Sequence, residues 1–128
     1  VAPDLTTQAP SDTAWRQAAN PPPLAFDHRE LVDLALMRLR GKLSYSNIAF
    51  ALTPDCFSIS ELAAVYRAVL GYAVSPTNLQ RVLERDRLIE PTGRQRASGA
   101  GGGRPAVLYR FVDRELTISK PLAAFRPR

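Results

Sequence analysis

The chain is 128 residues long, 45% hydrophobic, with a formal net charge of +5 and a sequence pI near 10.0. That length holds one ordinary domain plus tails, no apolar run approaches the roughly 20 residues of a membrane helix, and the opening residues do not read as a secretory leader, so a cytoplasmic location is the expectation. Cys56 is the single cysteine, which excludes an internal disulfide and a cysteine-built zinc cluster.

Residues 1–23 read as a flexible tail or linker, with five prolines, several Ser, Thr and Gln residues and one anchor-like side chain, Trp15. The first residue is Val1 rather than methionine, as in a fragment, a processed product or a chain from an alternative start. In "NPPPLAFDHRELVDLALMRLRG", Asp27 with Glu30 three residues later predicts a capping-box-like helix start. Leu31, Leu34, Ala35 and Leu39 recur at helical spacing and predict its buried face, and Gly41 is read as its end. "YSNIAFALTP" predicts a second, shorter helix stopped by Pro54. "FSISELAAVYRAVLG" carries a fuller signal: Ser58 and Glu61 as a capping box, Leu62, Val65, Tyr66, Val69 and Leu70 as the buried face, and Gly71 where a C-terminal glycine belongs. "SPTNLQRVLERDRL" begins another helix, with Ser75 as N-cap, Pro76 in the first turn and Leu79, Val82, Leu83 and Leu88 facing inward.

"LIEPT" and "AVLYRF" are rich in β-branched and aromatic residues and predict two strands. Between them lies "GRQRASGAGGGRP", too small and too flexible to build a core. The order helix, short helix, helix, turn, helix, strand, loop, strand predicts a mainly α fold with a small β-hairpin, a winged helix-turn-helix. Its expected boundaries are a tail over 1–23, the domain over 24–112 and a C-terminal tail over 113–128.

Charge is unevenly placed along this order. Residues 1–80 carry six Lys/Arg against seven Asp/Glu, and residues 81–128 eleven against five, so the excess of positive charge lies in the last 48 residues. That asymmetry favours a polyanionic partner, although an arginine-rich solvated surface would look the same. The glycine-rich loop fits neither common phosphate-binding template, because Arg104-Pro105 stands where the Walker lysine would be and a strand follows where a dinucleotide fold needs a helix. As the tip of a wing it would instead bring Arg94, Arg96 and Arg104 to phosphates or a minor groove. On helix 76–87, Asn78, Arg81 and Arg85 share a face, and Thr77, Asn78, Gln80, Arg81 and Arg85 are the candidate contacts to duplex DNA, Asn suiting adenine edges and Arg guanine edges. Glu84 works against this, since it can pair with Arg81 or Arg85 along the helix. No catalytic constellation, metal-ligand cluster or cofactor motif stands out: His28 is the only histidine and reads as a polar neighbour of a helix start, Cys56 as a structural thiol, and the carboxylates are scattered.

The stretches "FDH", "RLRGKL", "FALTP", "VYRAVLG", "EPTG" and "GRPAVLYRF" occur in an order that resembles the C-terminal winged-helix domain of the Nudix-related transcriptional regulator (NrtR) family, over residues 24–111. The resemblance implies a sequence-specific DNA reader that works with a Nudix-fold sensor for ADP-ribose or related metabolites. It also implies that "AWRQAANPPPLAFDH" is the end of such a sensor running into the linker. The acidic Nudix box itself has no match in this chain, so hydrolase activity and an effector pocket do not carry over. The recognition segment departs as well: the family's Asn-Phe-Arg-Arg-Lys is here Asn78, Leu79, Gln80, Arg81 and Val82, with two fewer basic positions. Double-stranded DNA, a Nudix-fold sensor and a second copy of the chain are the partners implied, with no membrane. The alternative is a degenerate winged helix serving as a protein–protein subunit or adaptor of a larger complex. A Nudix enzyme survives only if the chain is part of a longer polypeptide.

Overall fold

The computed structural model describes residues 10–98 and 100–119. Residues 1–9 of the expected tail, Gly99 of the loop and residues 120–128 lie outside the described residues. Between residues 10 and 27 the chain makes local turns, such as the one closed by the Thr13 amide donating to the Pro10 carbonyl at 3.0 Å, and Trp15 is exposed.

Helix α1 spans His28–Tyr45 and differs from expectation in three ways. Asp27 makes no side-chain cap bond, because Phe26 at φ +53° and Asp27 at φ −91°, ψ 9° form a turn in which the cap is not extended. Gly41 does not end the helix. A mid-helix glycine costs only about 1 kcal/mol relative to alanine, and the turn beyond it buries Leu43 completely. Fixing Leu43 inward sets the register, so Leu39, Leu36 and Val32 lie half-buried on the packed side. Leu31, Leu34 and Ala35, expected inside, are exposed.

The "IAFAL" segment is a 3-10 helix, Ile48–Leu52, rather than an α-helix. Its start is held from elsewhere: Ser46 and Asn47 are both buried, and the Asn47 amide donates to Thr117.

Helix α2, Ile59–Leu70, has the capping box in full: the Ser58 hydroxyl accepts from the Glu61 amide at 3.2 Å, and the Ser58 amide donates to Glu61 Oε2 at 2.8 Å. Gly71 closes it in the left-handed region at φ +81°, where a side chain would be strained. Arg40 Nε donates to the Val69 carbonyl at 2.8 Å and so ties α1 to the end of α2. After a short turn, α3, Pro76–Arg85, starts on the Ser75 cap with Pro76 in the first turn. Leu79, Val82 and Leu83 face the core.

Strands β1, Ile89–Arg96, and β2, Ala106–Phe111, form an antiparallel hairpin. Its register is regular from Ile89↔Phe111 to Pro91↔Tyr109, then slips before Gln95↔Val107. Gly93 at φ +77° makes the bend, and Thr92 Oγ1 donates across it to the Leu108 carbonyl at 2.9 Å. Phe57 adds a single bridge to the other edge of β2: its amide donates to Tyr109 at 3.0 Å and its carbonyl accepts at 2.8 Å. Phe57, Leu62, Tyr66, Leu79, Leu83, Ile89 and Phe111 belong to one contiguous core. Leu108 is buried apart from this cluster.

The chain stays against the domain past the expected boundary at 112. Asn47 Nδ2 donates to the Asp113 and Glu115 carbonyls at 3.1 and 2.9 Å, and Asn47 Oδ1 accepts from the Thr117 amide at 2.8 Å. Ser46 bridges Ile118, and the Ser119 amide donates to Tyr45 at 2.7 Å.

Three expectations follow. Leu83→Ala should cost about 2–5 kcal/mol in a denaturant titration, as for a fully buried leucine, and a loss below about 1 kcal/mol would contradict this packing. Asn47→Ala should speed exchange of the Thr117 and Ser119 amides while those of α2 stay protected; equal acceleration everywhere would show that the contact belongs to the core. The third concerns pH. Glu61 lies below its ordinary value of 4.5: chiefly the Ser58 amide, and also the Arg96 hydrogen bond and charge, favour the carboxylate over the opposing effect of burial. A depressed carboxyl contributes stability that is complete above about 4.5 and lost as pH falls through the folded value. The stability difference between wild type and Glu61→Gln should therefore shrink on acidification, and a difference constant from about pH 7 to about pH 3 would contradict it.

Candidate nucleic-acid interface

The side of α3 opposite Leu79, Val82 and Leu83 is set by the helical period of 3.6 residues. Thr77, Arg81 and Glu84 stand at its centre, all exposed. Gln80 lies on the flank toward the hairpin, Asn78 and Arg85 on the opposite flank. The expected face of Asn78, Arg81 and Arg85 is thus rotated: Glu84 sits in the middle of the outward surface, and Arg85 at its edge.

Polar contacts then sort these side chains. Arg81 Nη2 donates to Asn78 Oδ1 at 2.8 Å, which orients the guanidinium outward and leaves the Asn78 amide nitrogen free to donate. Arg85 turns to Asp86 at 3.0 Å, away from Glu84. Gln80 Nε2 donates to the Tyr109 hydroxyl at 2.9 Å and lies 3.5 Å from Glu84 Oε1. Glu84 therefore pairs with neither Arg81 nor Arg85 and joins a small group with Gln80 and Tyr109. Burial pushes the Tyr109 hydroxyl up; the negative charge and acceptor oxygens of the nearby Glu84 carboxylate, which disfavour the phenolate, add to this, and the Gln80 donor works against it.

On the hairpin, Arg96 pairs with Glu61 at the start of α2, so one of the three expected wing arginines is turned back onto the domain. Among the described residues the side chains of Arg94 and Arg104 make no hydrogen bond or ion pair. The loop between them is drawn together by Ser98 Oγ donating to the Gly103 carbonyl at 2.9 Å. A cleft of about 300 Å³ separates α3 from the hairpin, lined by Ser58, Ile59, Ser60, Gln80, Val107 and Tyr109 among others.

The positive charge of the C-terminal half is accordingly focused. Arg85, Arg96, Arg110 and Arg114 face Asp86, Glu61, Glu90 and Asp55 in ion pairs. Arg81, Arg87, Arg94 and Arg104, all exposed, have no carboxylate partner among the described residues. Arg87, inside the expected helix 76–87 but not singled out there, lies beyond the end of α3 at φ +57°. Tyr109 escaped the sequence reading as one more strand aromatic; the four-residue spacing of Gln80 and Glu84 was the available signal for that group. His28 rests edge-on against Phe26, Cys56 is half-buried, and no group of three or more metal-ligating side chains forms among the described residues. No helix is long and apolar enough to cross a membrane, among the residues described.

Residues 49–111 match the family model described as the NrtR DNA-binding winged helix domain. The ADPR responsive transcriptional repressor NtrR of Acinetobacter baylyi is 31% identical over 105 residues, which cover 82% of this chain and 41% of that protein. The crystal structure of Shewanella oneidensis NrtR complexed with a 27-mer DNA is similar at a TM-score of 0.58 and 38% identity, over 70% of this chain and 39% of that one. Shewanella oneidensis NrtR in a second crystal structure is similar at a TM-score of 0.58 and 35% identity, with the same coverage. The chain thus spans about two fifths of the length of these relatives. An outward helix face beside a basic hairpin, on a fold shared with these proteins, identifies the chain as carrying a winged-helix domain of the NrtR family.

Proposed function

We propose that this chain is the DNA-reading part of a transcriptional regulator, inserting α3 into the major groove and laying its hairpin along the phosphate backbone. The focusing of the arginines that have no carboxylate partner among the described residues carries this reading: Arg81 lies on the outer face of α3, Arg87 just beyond its end, and Arg94 and Arg104 lie on the wing. Thr77, Asn78, Gln80 and Arg81 contact base edges, Arg94 and Arg104 contact phosphates, and Arg85 and Arg96 contribute mainly by holding Asp86 and Glu61.

The relatives suggest the setting. The Acinetobacter baylyi protein is described as an ADPR responsive repressor, and in this reading the present domain works with a Nudix-fold sensor that transmits such a signal. A second copy of the chain would double the contacts on paired half-sites, as helix-turn-helix readers commonly require. The domain does no chemistry of its own and acts on DNA in the cytoplasm. The domain proper runs from 24 to 112, with the stretch 113–119 as its clasp. An adaptor role has one observation in its favour: α1 shows Leu31, Leu34 and Met37 to solvent, 54%, 40% and 62% exposed.

Fluorescence anisotropy on random duplex separates the two readings. Three to five neutralised phosphates give a log–log salt slope of about −3 to −4.5. Arg81→Ala should reduce discrimination between sequences, while Arg94→Ala or Arg104→Ala should weaken all duplexes alike and flatten the slope by about one unit. No binding at low salt by a folded sample would overturn the DNA-reader assignment and leave the adaptor reading.

A further inference from the structure

We propose that Tyr109, a wing-strand residue whose hydroxyl reaches the flank of α3, is a specificity-determining residue: it locks Gln80, beside Glu84, into a patch that offers only hydrogen-bond acceptors. That patch selects the exocyclic amino groups of adenine or cytosine and rejects the carbonyl edges of guanine and thymine. The inference rests on the reading of α3 as the groove-entering helix.

The polarity of the group follows from its members. Ionised Glu84 can only accept. The Gln80 side chain faces two acceptors at once, the Tyr109 hydroxyl oxygen and Glu84 Oε1. Gln80 therefore presents its nitrogen to Tyr109 at 2.9 Å, and the same nitrogen faces Glu84 Oε1 at 3.5 Å. Both amide protons are thereby engaged, one by Tyr109 and one by Glu84, and Gln80 Oε1 is the atom left for a ligand. A free glutamine would bind adenine through both its oxygen and its nitrogen, and its rotatable amide would tolerate guanine or thymine. The locked one lacks the donor those bases require. In the major groove the matching donors are N6 of adenine and N4 of cytosine. Tyr109 itself is 7% exposed and fixed through its backbone to Phe57, so its hydroxyl is a rigid reference for the helix side chains.

Two measurements on the 128-residue chain test this, with Tyr109→Phe keeping the packed ring. In the free protein, the Gln80 side-chain amide protons should exchange slowly with solvent in the wild type and rapidly in the variant; identical exchange would overturn the lock. In selection from a random duplex library, Tyr109→Phe should lower the preference for adenine or cytosine over guanine or thymine at a single base pair by about fivefold or more, with the salt slope unchanged. Gln80→Ala should lose the same preference, and adding Tyr109→Phe to it should change nothing further at that base pair. A profile unchanged in Tyr109→Phe, or one weakened uniformly at every position, would overturn the inference while leaving DNA reading intact. A wild-type protein that binds no duplex would overturn both, even with the Gln80 amide protected.

Discussion

The arrangement of the whole domain turns on the two-bond bridge between Phe57 and Tyr109. Phe57 is fully buried with its ring 5.4 Å from that of Phe111, and the next residue, Ser58, caps α2. A single residue therefore fixes the start of α2 and the edge of the hairpin in one frame. Magnitudes show which contact governs the wing. A buried phenylalanine is worth about 3–5 kcal/mol against truncation, whereas an exposed ion pair contributes about 0–1 kcal/mol. The Arg96–Glu61 pair is about half exposed on both sides. It trims the attitude of a hairpin that Phe57 has already placed, and a phosphate can compete for Arg96 at little cost.

Legibility in the sequence followed the range of the forces involved. Helices α2 and α3 were readable because their caps lie within four residues of what they cap: Ser58 with Glu61, and Ser75 with Asn78. Helix α1 was readable as a helix but not in register. It carries two apolar stripes, Val32, Leu36, Leu39 and Leu43 on one side and Leu31, Leu34 and Ala35 on the other. Periodicity cannot choose between stripes; the position of the core chooses, and it lies against Leu43. Residues 113–119 were missed for a related reason. Asn47 holds them through backbone carbonyls and an amide 66 to 70 residues away, and such partners leave no trace in residue type.

The site was legible as a surface and less so as a set of side chains. Composition located the basic half, and the cap at Ser75 located the helix. What sequence could not sort was which arginines are already engaged: Asp86, Glu61, Glu90 and Asp55 each take one, and only Asp86 and Glu90 are near their partners in sequence or strand register. Glu84 shows the opposite case. Sequence spacing paired it with arginines, but Arg81 finds a nearer oxygen on Asn78, and the hairpin supplies Tyr109 on the other side.

The clasp at Asn47 makes the domain a loop drawn shut at its neck. Helices α2 and α3 and both strands lie between Asn47 and Thr117, so the neck closes a loop of 70 residues around the core. Loop entropy makes the closing inexpensive, since each doubling of loop length adds only about 0.6 kcal/mol. What holds the neck is polar and local, a few hydrogen bonds around one side chain, while the core holds through apolar packing. The two ends of the domain are thus held by different forces, a polar neck around Asn47 and an apolar core around Phe57 and Leu83, so that a change in one need not be felt in the other.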